Sequence, residues 1–240
     1  MRRKMKRCFV YTICVILAGG LLVWTGTSQA LTFSGSSGTL AASADFELSG
    51  STLTILLTNT STFDVLVPSD VLMGLFFDTT HVLTPVSASL GGSSSFSYGT
   101  TSSPGDGWQY KSGVSAQGKN GGISAAGFGV FGPDGNFSAT PLKLGGLDYG
   151  ILSAGDNSGT GNTGVTGKGP LIKNSIVFTL TAASGFALTE LGDTVVFQYG
   201  TALTEPNVPG RPPVVPEPIT LLLLGAGLVS IAGVSRKFRK

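Results

Sequence analysis

Cysteine is almost absent from this chain. Its 240 residues hold two, Cys8 and Cys14, both within the first 30 positions. A body without cysteine has neither disulfide nor thiol chemistry, so packing and hydrogen bonds alone must hold it. Charge is scarce too: Asp, Glu, Lys and Arg make up 12% of the residues. The single histidine, His81, has no cysteine or second histidine to complete a zinc set. No Gly-x-Ser-x-Gly elbow is present for a serine nucleophile. The acids are scattered one or two per loop, so the sequence pairs no carboxylates for glycoside hydrolysis. Helical periodicity is missing before residue 219. Together these gaps argue against an enzyme and call for no cofactor.

Two apparent motifs fail on context. Gly159-Thr160-Gly161-Asn162-Thr163-Gly164 matches the dinucleotide pattern. That pattern works only where it follows a strand and opens a helix, and the Gly/Pro-rich stretch 165–170 is not expected to start one. Gly167-Lys168 resembles a phosphate loop but lacks the following Ser or Thr.

What is abundant is glycine, 36 residues of it, with many serines and threonines. Between the glycines run short segments of two-residue period. Leu53, Ile55 and Leu57 fall on one face, as do Ile176, Phe178 and Leu180, and Val195, Phe197 and Tyr199. Further strands are expected near Phe33 or Phe46 and over 65–67, 71–77, 81–88, 122–131 and 149–152, and 89–122 reads as a Gly/Ser loop region. The pattern predicts an all-β fold, a β-sandwich of jelly-roll type.

The two ends are of another kind. Arg2, Arg3, Lys4, Lys6 and Arg7 precede an apolar run, Cys8 to Trp24, and then Ser28-Gln29-Ala30. This is the pattern of a secretory signal peptide over 1–30, with signal peptidase cutting between Ala30 and Leu31. At the C-terminus, Ile219 to Val234 is a run of 16 residues in which only Thr220 and Ser230 are polar. As a helix it would cover about 24 Å, against about 30 Å of hydrocarbon, short enough to suit a transient single-pass anchor. Arg236, Lys237, Arg239 and Lys240 follow as a cytoplasmic stop. Six prolines between 204 and 218 suggest that 204–215 is a stiff stalk of polyproline character. The β-rich extracytoplasmic domain is then 31–203, and the sorting region is 216–240.

Charge separates the same way. Residues 31–210 carry five lysines against twelve acids, a net charge of −7. An acidic body argues against nucleic acid and anionic membrane surfaces as partners.

Pro216-Glu217-Pro218, the apolar run 219–234 and the basic tail 236–240, in that order, resemble the PEP-CTERM sorting signal of Gram-negative bacteria. The resemblance implies an exopolysaccharide-producing bacterium and recognition by exosortase, a membrane-embedded protease and transpeptidase. It also implies cleavage near the Pro-Glu-Pro and release to the cell surface or matrix. Physically, Pro216 and Pro218 keep the segment extended and block helix propagation, which suits a protease cleft. The body has its own resemblance. Thr58-Asn59-Thr60-Ser61, Leu75-Phe76-Phe77-Asp78, Leu147-Asp148-Tyr149-Gly150, Ser153-Ala154-Gly155-Asp156-Asn157 and Phe197-Gln198-Tyr199-Gly200-Thr201 are similar to a family of exosortase-dependent surface proteins. That family brings no established catalytic residues.

Two binding readings remain to be weighed. Trp108 and Tyr110, in a Gly-rich stretch, could stack on sugar rings, or Trp108 could cap the end of a sandwich. Asp156, Ser158 and Thr160 place oxygen ligands at alternate positions, like a calcium loop, but position 167 lacks the bidentate Glu, and ordinary Asx-turns explain the pattern, so no metal is expected. The expectation is an exported surface or matrix protein with a structural or adhesive role in an exopolysaccharide or biofilm layer. Its partners would be signal peptidase, an exosortase-like protease and, transiently, the inner membrane, with extracellular polysaccharide as a further ligand. A carbohydrate-binding module is the alternative.

Overall fold

The computed structural model describes residues 28–99, 103–139, 144–167 and 169–213. The chain is all-β there. One sheet has five strands in the order β1 (Gln29–Ser37), β2 (Leu40–Ser49), β3 (Thr52–Asn59), β11 (Ser175–Ala182), β5 (Leu83–Leu90). The other runs β13 (Asn207–Gly210), β12 (Val195–Tyr199), β4 (Leu72–Phe77), β9 (Ile151–Leu152), β10 (Leu171–Lys173), β6 (Ser95–Ser97). The hairpin β7 (Gln109–Ala116) and β8 (Lys119–Ser124) attaches to it through β8 and β4. Only β9 and β10 pair in parallel; the other ladders are antiparallel.

The two-residue period forms the first sheet. In β3, Leu53, Ile55 and Leu57 are fully buried, and Ile176, Phe178 and Leu180 answer them on β11. Ala42, Ala44, Phe46 and Leu48 extend the same face along β2. The core lies between the sheets: Phe46 meets Phe77 of β4 edge to face at 5.6 Å, and Phe178 meets Trp108 at 5.1 Å. Each such buried aromatic contributes roughly 1.5–3 kcal/mol through removal from water.

β4 is buried at every position, inner and outer. Its outward Phe76 packs with Val114, Ala116 and Val196 under Phe128 and Phe131. This accounts for a departure from expectation. The apolar stretch 122–131 is strand only to Ser124. Gly127 and Gly129 adopt positive φ, +71° and +74°, and turn the chain back over Phe76. Composition could not distinguish a strand from the lid of one.

Other expected strands moved as well. Residues 65–67 form no strand, and β7 and β8 arise where a loop was read. The run 172–181 is split by Asn174, at φ 87°, into β10 and β11, which belong to different sheets. The glycine-rich stretch also holds one helical turn, α1 (Thr163–Thr166), where none was expected. It spans four residues, too short for the dinucleotide arrangement.

The Pro-rich stretch needs the largest correction. Residues 204–211 are not a stalk but part of the fold. β13 pairs with β12, Val208 is fully buried, and Arg211 exchanges two backbone hydrogen bonds with Ser34 of β1, at 3.0 and 2.9 Å. Polyproline and β backbones occupy neighbouring regions of φ/ψ, so proline spacing does not choose between them. The choice is made by Gln198, whose buried amide donates to the carbonyls of Tyr199 and Ala202 at 2.8 and 3.1 Å. Its Oε1 accepts from Gln117 at 2.7 Å. Glu205 closes the same turn by accepting from the Thr201 and Ala202 N–H groups at 2.6 and 2.8 Å.

Candidate functional site

Trp108 does not face solvent. It is fully buried against Phe178, and its Nε1–H donates to the Tyr149 carbonyl at 3.0 Å. Gly107 admits the Tyr149 ring so closely that a Cβ there would lie 2.0 Å from it. Tyr110 is 4% exposed and stacks on Phe77, and burial pushes its phenol up to about 12. Neither ring can receive a sugar; both are core.

The signal peptidase position falls inside β1, where Ala30 pairs with Glu47 and Leu31 with Phe46. A cut between them leaves β1 its last seven residues. The sorting residues Pro216, Glu217 and Pro218, the run 219–234 and the basic tail lie outside the described residues. Among the described residues no helix is long and apolar enough to cross a membrane.

His81 sits at one end with Nδ1 2.7 Å from Glu190 Oε1. Thr80 gives Glu190 Oε2 both its N–H, at 3.0 Å, and its hydroxyl, at 2.6 Å. The Ala187 N–H reaches Oε1 at 3.2 Å. Burial alone would raise the Glu190 pKa, but the bonds from Thr80, His81 and Ala187 outweigh it and hold the carboxyl at about 2. The cluster fastens the loop before β5 to the 3₁₀ turn Leu188–Leu191. Among the described residues Glu190 and Thr80 are the partners of the His81 ring, both at Nδ1, and no serine is hydrogen-bonded to it.

The oxygen-rich loop gains a member that spacing could not reveal. Asp64, 92 residues before Asp156, comes from the loop after β3. Its Oδ1 accepts the Asn157 N–H at 2.8 Å, and its Oδ2 accepts the Thr160 hydroxyl. The Asp64 and Asp156 carboxyls meet, with the Val65 N–H facing both. Thr160 therefore belongs to the cluster, whereas Ser158 contributes its carbonyl, which accepts the Tyr98 hydroxyl at 3.3 Å. Beside this loop an open cleft of about 470 Å³ is lined by Tyr98, Asp148 and Thr166.

Four of the five segments that resemble the surface-protein family turn out to be joints. Asn59 Nδ2 donates to the Ile151 carbonyl at 3.0 Å, tying β3 to β9. Ser153 Oγ donates to the Phe63 carbonyl at 2.5 Å, and Gly155 lies where a Cβ would be 2.3 Å from the Thr62 oxygen. Gly150 is pressed against Met73 and Val71, and the Gly200 N–H bonds the Val71 carbonyl at 2.9 Å. These residue types are needed where strand ends and loops approach closely. Their chemistry is that of construction.

Residues 214–237 match the family model of the PEP-CTERM protein-sorting motif. No curated protein and no solved structure matches the chain.

Proposed function

We propose that this is an exported surface protein whose C-terminal signal delivers it to an exosortase-like membrane protease. That protease cleaves near Pro216-Glu217-Pro218 and leaves the β-domain on the cell surface or in the extracellular matrix. The observation that carries the proposal is the sorting motif at 214–237, a signal of the kind exosortase recognises. The body has a structural or adhesive role in the exopolysaccharide or biofilm layer and performs no catalysis. Two features support that reading. The recurrent polar and glycine motifs serve as joints between strands, and the histidine is committed to Glu190.

The test is intact mass and C-terminal peptide mapping of protein from cells with and without the exosortase gene. A C-terminus near Pro216 that requires the enzyme is expected. Glu217→Ala, or neutralising the basic tail, should leave full-length precursor in the membrane. A C-terminus at Lys240 in both strains would replace this reading with that of a lasting membrane anchor.

A further inference from the structure

Two carboxylates that meet cannot both be ionised cheaply without a third charge between them. The Asn157 N–H and the Thr160 hydroxyl, on Asp156's own loop, both bond Asp64 and bring the two carboxyls together. Asp156 is only 5% exposed, and its Oδ1 is buried without a hydrogen-bond partner. A buried carboxylate oxygen left without a donor is costly and calls for an explanation.

The Val65 N–H faces both carboxyls but leaves this oxygen without a partner, and the other groups nearby do not supply one. Among the described residues Lys173 faces this loop, and its ammonium donates to the Asp156 backbone carbonyl at 2.8 Å. Tyr98 gives its hydroxyl to Ser158 O, and the Asn157 and Thr160 donors go to Asp64. Asp64, Asp156 and Lys173 together leave a net negative charge. The Thr160 hydroxyl is turned toward Asp64, and the Asn157 side-chain oxygen, which accepts the Gly159 N–H at 3.0 Å, lies on the same loop. All are hard oxygen donors, and no sulfur or imidazole lies among them.

We propose that the loops 62–66 and 153–161 form a calcium site in which Asp64 and the buried Asp156 oxygen supply the charge. Calcium suits it better than magnesium. It accepts irregular sets of six to eight oxygens, whereas magnesium demands near-ideal octahedral geometry and gives up water reluctantly. With only two carboxylates the site belongs to the weak extracellular range, a Kd of about 0.1–1 mM. The ion would tie the loop after β3 more firmly to the loop after β9, which hydrogen bonds from Ser153, Asn157, Thr160 and Asn162 already join. The site does not depend on how the C-terminus is processed, so its failure and that of the sorting reading are separable.

Full-length protein, purified in detergent and stripped with chelator, tests this at pH 7. Calcium at about ten times Kd should raise the melting temperature by about 3–6 °C. Calorimetry should find one site. Asp156→Asn and Asp64→Asn should each abolish the response. In chelator, Asp156→Asn should melt no lower than the parent, because it removes the repulsion with Asp64. No calcium response in the parent up to 10 mM, roughly ten times the weakest Kd expected, would overturn the proposal. So would an undiminished response in both variants, or an equal response to magnesium. Should a variant fail to fold, calorimetry on the parent decides alone.

Discussion

At the residue scale, two side chains show how much a local reading can miss. Trp108 lies in a stretch of glycines that suggests exposure, yet it is the largest fully buried side chain of the core. Trp108→Ala is expected to cost about 3–5 kcal/mol in denaturant unfolding, as for other buried large-to-small changes. Gly107→Ala should cost about 1–3 kcal/mol by overpacking, because its Cβ would enter the Tyr149 ring. An unchanged midpoint for either variant would contradict the packing described. Glu190 makes a pH prediction. Its folded pKa, about 2, lies below the ordinary 4.5. Its contribution is therefore complete above about pH 4.5 and is lost as pH falls toward 2. Subtracting the stability–pH curve of Glu190→Gln from that of the parent should reveal a step confined to that window. The same residues also show what was legible. His81 was visible as the sole histidine, but its partner lies more than a hundred positions away and only folding identifies it.

At the scale of elements, alternation served well where one face is buried and the other is not. β3 and β11 appear where their periodicity put them, because a half-buried strand must alternate; β12 appears as well, although all of its residues are buried. Alternation failed where a strand is polar or rich in glycine. β7 and β8 carry Lys111, Ser112, Lys119 and Asn120, with Gly121 and Gly122 under Thr79 and Phe76, so their sequence resembles a loop. β13 failed for a different reason: its proline, Pro209, sits in an edge strand, where a missing N–H is tolerated. Truncation provides the check. A chain ending at residue 203 should lose cooperative unfolding or melt well below one ending at 213. The first exposes Phe197 and strips Gln198 of its partners at 205 and 206. Equal melting of the two would restore a flexible stalk. Gln198→Leu should destabilise the longer chain through the same turn by about 1–3 kcal/mol.

At the scale of the whole molecule, the chain divides its charge. Cations gather at the ends, and the body from 31 to 210 is left at −7. The field of such a body repels polyanions. It is therefore expected to pass through a heparin column at physiological salt; retention would indicate a basic patch formed by the fold. A body without cysteine must also be held by packing, and here one core extends from Phe33 of β1 to Val208 of β13. Thermal unfolding should accordingly be indifferent to reductant.

The sequence by itself determined the chemistry that needs no partner in space. The address at 214–237, the basic and apolar leader pattern, the acidic body and the all-β class are all properties of contiguous residues, because targeting machinery and strand pleats read the chain locally. The tertiary structure alone decided which residues face one another. It took Trp108 and Tyr110 from the surface, drew 204–211 into the sheets, and set Asp64 against Asp156. Those outcomes depend on contacts between positions far apart in the chain, and no local pattern of residues encodes them.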